Sequence, residues 1–428
     1  MSPESSSRSP ERVLGLAPDA TGLHIALYVP SLIGGGAENS TLKLAGHYAG
    51  MGYRVDLVLN RKQGAYLARV PEGIRVIELK RFKRPPARTL WARFLAFKAQ
   101  PTALFTLALP VLLARKPLMD LRYLPALLVY LRQAQPQALI SALTQTNLLS
   151  IWARKLSGVA LHLVISERSI ISMDIANQLT QSRSRWRWRY LPALVAKFYP
   201  QADSIVTLSK GAKDDLASFA GLPPESISVV YNPVVDDELS ELAGHAVENS
   251  WFASPQAPVI LAAGKLMANK DFPTLLKAFA ELRKQVDARL VILGEGDQRE
   301  YLRTLAESLQ IQNDLDLIGW ADNPYKFMAK SAVFVSSSTF EGFSRVLVEA
   351  MACGCSIVSA DCPGGPREIL NDGEYGKLVP VGNAQAMSQA ILQSLKNPMD
   401  KKILEKRAAE FSVRASAQGY LNLITGRV

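Results

Sequence analysis

The chain has 428 residues, of which 48% are hydrophobic and 20% charged, a composition that excludes a disordered polymer and a length beyond what one core usually supports. Its three cysteines, Cys353, Cys355 and Cys362, exclude a disulfide framework and fit a reducing compartment; with no histidine nearby they make no zinc set. The net charge of +11 is uneven, +15 over residues 1–235 and −4 over the rest, which points to an anionic partner for the first part alone.

Residues 1–20 read as a polar tail with no apolar stretch of signal-peptide length. From Leu23 to Val29 an apolar run predicts a buried strand, followed by the turn Gly34-Gly35-Gly36, a helix over Ala37–Met51 and a strand over Arg54–Leu59, the opening βαβ unit of a parallel sheet. Further strands are predicted at Arg75–Leu79, Ala138–Ser141, Leu161–Ser166 and Ser204–Leu208. The pattern then restarts, with strands at Pro258–Gly264, Arg289–Leu293, Leu315–Ile318, Ala332–Ser336 and Ser356–Ser359 and helices at Thr274–Val286 and Arg299–Gln310. Two doubly wound α/β domains are expected, 21–235 and 236–428, divided near Asn232–Glu238.

Residues 80–132 stand apart, with eleven Lys and Arg against the single acid Asp120, among many Leu, Phe and Ala. Two readings are open. One is a helical insertion packing its leucines on the sheet; the other is a basic, aromatic surface resting on anionic lipid. Arg183, Arg185, Arg187 and Arg189, alternating with Trp186 and Trp188, favour the second. Flotation with anionic against neutral liposomes separates the two. The longest uninterrupted apolar stretch, 102–114, contains Pro110 and falls short of a membrane span, so the expectation is a cytoplasmic protein, at most peripheral on the inner face of the plasma membrane.

The chemistry concentrates in Glu341-Gly-Phe-Ser-Arg-Val-Leu-Val-Glu349, directly after a predicted strand. Glu341 then lies at the carboxyl edge of the sheet, where open α/β folds bind ligands, and Glu349 roughly two turns along the next helix. Two acids held apart in this way accept hydrogen bonds from two sugar rings. The backbone N–H groups of Ser344, Arg345 and Val346 open that helix and are free to meet a phosphate.

This stretch, with the following Glu-Ala-Met-Ala-Cys-Gly354 and Asp361-Cys-Pro-Gly-Gly-Pro-Arg-Glu-Ile-Leu370, resembles the donor domain of retaining GT-B glycosyltransferases, most closely the bacterial group that builds surface polysaccharides and lipid-linked oligosaccharides. The resemblance implies a GT-B fold, two Rossmann-like domains facing across a cleft, with the last helix packing back on the first domain. It implies that Glu341 lies beside the donor sugar, within a loop including Gly342 and Phe343, and that Glu349 holds the ribose. Gly264-Lys265-Leu-Met-Ala-Asn-Lys270 is similar to the turn that grips the diphosphate, with Lys265 where the family usually has arginine. Lysine keeps the charge and loses the bidentate fork. Gly34-Gly35-Gly36-Ala37-Glu38 resembles the N-terminal glycine loop, and Gly319-Trp320 the place that receives the base. On the acceptor side, Ser166-Glu167-Arg168-Ser169 resembles a Ser-Glu-Arg-Asn segment of some relatives. Glu38, Asn147 (with Thr144 nearby), Glu167 and Arg168 are the acceptor candidates; His162 reads as a core histidine.

The function so implied is retaining transfer from a UDP- or GDP-sugar to a glycan or lipid-linked acceptor, with no cofactor, no nucleic acid and no metal. Asp314-Leu-Asp316 spells a metal-binding D-x-D but sits at the entry to a buried strand. The rivals are a sugar-nucleotide epimerase of the same fold and a basic nucleic-acid-binding protein, the latter predicting steeply salt-dependent binding.

Overall fold

The structure, a computed structural model, describes residues 22–81, 121–181, 191–253 and 257–426. The 1–20 tail, most of the basic stretch after residue 80 and the Arg183–Arg189 patch lie outside the described residues.

The apolar runs become two all-parallel sheets. The first holds β1 (His24–Val29), β2 (Arg54–Leu59), β3 (Arg75–Glu78), β4 (Ala138–Ala142), β5 (His162–Ser166), β6 (Ser204–Thr207) and β7 (Ile227–Val229), in the order β3-β2-β1-β4-β5-β6-β7. The second holds β8 (Val259–Ala263), β9 (Arg289–Leu293), β10 (Leu315–Gly319), β11 (Val333–Ser336), β12 (Ser356–Ala360) and β13 (Lys377–Val379), in the order β10-β9-β8-β11-β12-β13. Helices return the chain between strands, as parallel pairing requires, and cover both faces. That is why β1 is buried along its whole length, in register with β2 from His24↔Arg54 to Val29↔Leu59. The expected α/β fold with two doubly wound sheets is therefore observed, with two short strands, β7 and β13, that the sequence pattern did not announce. The first helix runs Gly36–Gly50, and the predicted Thr274–Val286 helix is Phe272–Arg283, its start set by Pro273 in the first turn.

One polar group sits deep in the first sheet. Asp56 is fully buried and accepts from Arg75 Nε at 2.8 Å and Tyr130 Oη at 2.7 Å, with His24 Nε2 2.9 Å away. Burial alone raises a carboxyl pKa; the donors from His24, Arg75 and Tyr130 outweigh it and hold Asp56 below the usual carboxylate range. Of the basic stretch, Leu121–Tyr123 and the helix Leu124–Ala134 are described. Leu121, Leu124, Leu127 and Leu131 are buried in the core, so this end of it packs on the sheet. Among the described residues no helix is long and apolar enough to cross a membrane.

The chain crosses between lobes twice. It leaves the first at residues 230–235 and returns beside that path: Val234 N–H donates to Phe411 O at 3.0 Å and Val413 N–H to Val235 O at 2.9 Å. The final helix, Val413–Thr425, then buries Ala417, Tyr420, Leu421 and Ile424 in the core of the first sheet. Tyr48 Oη donates to Ala417 O at 3.1 Å.

Candidate active site

In each sheet the strand order reverses once, between β1 and β4 and between β8 and β11. Loops leaving neighbouring strands at such a point diverge and open a crevice at the carboxyl edge. The two crevices meet in one cavity of ≈ 870 Å³. Its walls include Gly35 and Gly36 after β1, Arg168 after β5, Gly264, Lys265 and Lys270 after β8, and Trp320 after β10. After β11 come Glu341, Gly342, Phe343, Ser344, Arg345, Val346 and Glu349. Gly36 and Arg345, 309 positions apart in the chain, are thus brought to one space.

The β8 and β11 loops are stitched together. Thr339 N–H donates to Asn269 O at 2.8 Å and Ser337 Oγ to Lys270 O at 2.7 Å. Lys270 Nζ is thereby set 2.5 Å from Glu341 Oε1, which also accepts from Ser338 Oγ at 2.8 Å. Ser344, in the left-handed region at φ +52°, turns the chain into the helix Arg345–Ala352, whose first N–H groups have no intrahelical partner. One turn on, Glu349 Oε1 accepts from Arg345 Nη2 at 3.0 Å, and Arg345 Nη1 reaches across to Gly36 O at 3.3 Å. Trp320 stands 58% exposed, its Nε1 donating to Asp322 Oδ1 at 2.9 Å, and offers a flat ring at the end of β10.

Two residues missed in the sequence hold this loop in place. Gly364 has φ +114°, and a Cβ there would fall 1.5 Å from Glu341 O; beside it, Glu341 N–H donates to Pro363 O at 3.1 Å. Ser338 orients the carboxylate of Glu341. The signals were the Pro-Gly-Gly-Pro turn and the serine three residues before the glutamate.

The acceptor candidates do not gather. Arg168 reaches the cavity, but Asn147, Glu167 and Glu38 are not on its wall. Glu167, expected at an exposed edge, is 2% exposed, and its carboxyl accepts from Tyr199 Oη, from Thr144 Oγ1 at 3.0 Å and from Asn147 Nδ2 at 3.1 Å. Both Glu167 and Asn147 therefore belong to a buried network, which corrects their placement at the cleft. Glu38 is 8% exposed and folds back on Gly35, where a Cβ would lie 2.3 Å from its Oε2. His162, half-buried at the start of β5, has Nε2 3.2 Å from Ser204 Oγ, and burial lowers its pKa. Asp314 pairs with Arg283 at 2.9 Å and Arg289 at 2.8 Å, while Asp316 accepts from Asn249 at 3.0 Å; the D-x-D residues are spent on structure. The three cysteines are buried, and burial pushes the Cys353 thiol up to about 12.

Burial raises the Glu167 pKa from its ordinary 4.5 to about 7, although its three donors pull the other way. Between those two values the folded chain holds a proton that the unfolded chain has lost, so this group subtracts stability as pH rises through the window, on the order of 3 kcal/mol by pH 8. Glu167→Gln keeps an acceptor oxygen for Tyr199 and Asn147, reverses the Thr144 bond so that the amide donates to the hydroxyl, and removes the titration. We expect the variant to melt higher relative to the parent at pH 8 than at pH 5. An equal difference at both pH values would show that Glu167 is ionised throughout.

Comparison with known proteins follows the same division. Residues 247–411 match the family described as "Glycosyl transferases group 1" and residues 35–233 the "Glycosyl transferase 4-like domain". The chain is 33% identical over 267 residues to the N-acetylgalactosamine-N,N'-diacetylbacillosaminyl-diphospho-undecaprenol 4-alpha-N-acetylgalactosaminyltransferase of Campylobacter jejuni, covering 62% of this chain and 69% of that one. It is 32% identical over 188 residues to the lipopolysaccharide core biosynthesis glycosyltransferase LpsE of Rhizobium meliloti, covering 42% of this chain and about half, 54%, of the relative. Among solved structures, Anabaena Alr3699/HepE in complex with UDP superposes with a TM-score of 0.69 at 19% identity, over 94% of this chain and 100% of that one. WaaG, a glycosyltransferase involved in lipopolysaccharide biosynthesis, gives 0.66 at 13%, over 94% and 100%. Both share the fold, the GT-B arrangement.

Proposed function

This chain belongs to the group 1 glycosyltransferases, and on that premise we propose that it transfers a sugar, with retention, from a UDP- or GDP-sugar to a glycan or lipid-linked acceptor in surface polysaccharide or lipopolysaccharide assembly. The observation that carries this reading is the Lys270–Glu341 pair in the cavity between the two sheets, beside an open helix N-terminus. As the bond from the sugar to the diphosphate breaks, charge grows on the leaving phosphate. Lys265, Lys270 and the N–H groups opening the Arg345–Ala352 helix are set to stabilise it in a partly dried site. Glu341 fastens the donor sugar, and Glu349 the ribose, with Trp320 and the end of β10 receiving the base. The acceptor hydroxyl attacks from the face the diphosphate leaves, and its proton passes to a leaving phosphate oxygen, so no protein nucleophile is required.

The UDP in the Anabaena structure supports a uridine donor, and the diphospho-undecaprenol in the Campylobacter relative's name supports a lipid-linked acceptor. Such an acceptor fits a protein working at the membrane surface. The reaction as drawn has no step that needs a metal. A screen of UDP-, GDP- and ADP-sugars by thermal shift, repeated with chelator, tests the reading. A sugar nucleotide at 1,000 times its Kd stabilises by about 4.1 kcal/mol. We expect one nucleotide class to raise the melting temperature, with chelator leaving that shift unchanged. No response to any nucleotide sugar defeats the proposal, and a response restored only by manganese defeats its metal-free form.

A further inference from the structure

Among the described residues five cations line the cavity, and three have a carboxylate for company: Arg69 with Glu238 at 3.5 Å, Lys270 with Glu341 at 2.5 Å and Arg345 with Glu349 at 3.0 Å. The other two, Lys265 and Arg168, have no carboxylate partner among the described residues. Lys265 comes from the second sheet and belongs to the diphosphate grip proposed above. Arg168 comes from the first. An unpaired guanidinium, half-buried in a concave site, carries a desolvation cost that a bound anion offsets.

The guanidinium is also held in position. Arg168 Nη1 donates to Asn232 Oδ1 at 3.0 Å, and that oxygen accepts from Ser40 Oγ at 3.1 Å. Asn232 is 5% exposed and lies on the first crossing between lobes, while Ser40 lies on the helix that follows the glycine loop. The partner is thus a neutral amide, which fixes direction without neutralising charge. Arg168 stands against the Glu341 loop as well: a Cβ on Gly342 would come within 2.7 Å of Arg168 O. The neighbouring acid gives no compensation, because Glu167 turns to Tyr199, Thr144 and Asn147 inside the first lobe.

We propose that Arg168 is a phosphate-binding residue of the first lobe, oriented by Asn232 and facing the Glu341 loop. This rests on the reading of the cleft as a glycosyltransferase site. A guanidinium at such a place recognises a phosphate by its fork of donors. The phosphate has two possible sources, the donor's nucleoside diphosphate and a diphosphate carried by a polyprenyl acceptor.

The test uses the full chain and three variants, Arg168→Gln, Arg168→Lys and Lys265→Ala, with calorimetric binding of UDP, GDP and a short-chain polyprenyl diphosphate. Loss of one charged hydrogen-bonding group predicts weakening on the order of 10–100-fold, with Arg168→Lys recovering part of it. Weaker nucleotide binding in Arg168→Gln assigns the residue to the donor. Unchanged nucleotide binding with weaker polyprenyl diphosphate binding assigns it to the acceptor. If Arg168→Gln does not fold, Arg168→Lys, which loses the fork and keeps the charge, carries the same comparison. Parental affinity for all three ligands in a folded variant overturns the inference, and leaves the cleft reading standing if Lys265→Ala still weakens nucleotide binding. A parent chain that binds none of the three ligands overturns both.

Discussion

Lys270→Ala is expected to lower kcat by about 10²–10³-fold, the effect of removing one preorganised group that meets developing anionic charge. The loss should fall on kcat more than on KM, because the leaving phosphate is most negative in the transition state and the missing contact is strongest there. Lys270 is partly exposed and anchors no core, so the variant should melt close to the parent. Glu341 would keep its bond from Ser338 at 2.8 Å and lose the ammonium that neutralises it, leaving an unpaired carboxylate beside the departing diphosphate. Steady-state kinetics at saturating donor and acceptor decide the matter. Turnover within a few-fold of the parent would remove Lys270 from the chemistry.

Gly364→Ala should be nearly as damaging, for a different reason. At φ +114° an L-residue is strained by about 1–3 kcal/mol, and the added Cβ would overlap Glu341 O at 1.5 Å. The overlap is with backbone, so the loop bearing Glu341 has to move, and a shift of about 1 Å in a positioned group costs roughly 10²-fold in rate. Gly373 supplies the control. Its φ is +99°, yet a Cβ there meets nothing within 4 Å. Gly373→Ala carries similar strain without the collision, and is expected to melt lower while keeping its activity. If Gly364→Ala is as active as Gly373→Ala, the brace between the Pro363–Gly365 turn and the Glu341 loop does not govern catalysis.

How much of this was legible follows from what decides each feature. Central strands such as β1, β8 and β9 are buried on both faces, so their apolar runs announce them; β7 and β13 are three residues long, too short for any period to register. The second-lobe site was readable because most of its groups lie within two short stretches of sequence, Gly264–Lys270 and Glu341–Glu349, each following one strand. The first-lobe site was readable only in part: Gly35, Gly36 and Arg168 reach the cavity wall, while Glu38, Asn147 and Glu167 do not. Glu167 and Arg168 read as one exposed pair, but Glu167 N–H still donates to Val206 O at 2.9 Å, continuing the extended backbone of β5. Successive side chains of extended backbone point to opposite sides, so the glutamate enters the interior while the arginine reaches the cleft. Nothing in the local sequence says which of the two turns inward. That depends on Tyr199 and Asn147, contributed by other elements.

The double crossing between the lobes has a mechanical consequence. A single tether would let one half swivel freely on the other, whereas two peptide segments lying side by side and hydrogen-bonded at Val234, Val235, Phe411 and Val413 act as adjacent pins on a common line. Swinging about that line widens or narrows the mouth; twisting across it would tear the bonds at the pins. Rotation across that line is thereby resisted, which keeps Arg168 on one wall and Lys265 on the other turned to the same cavity.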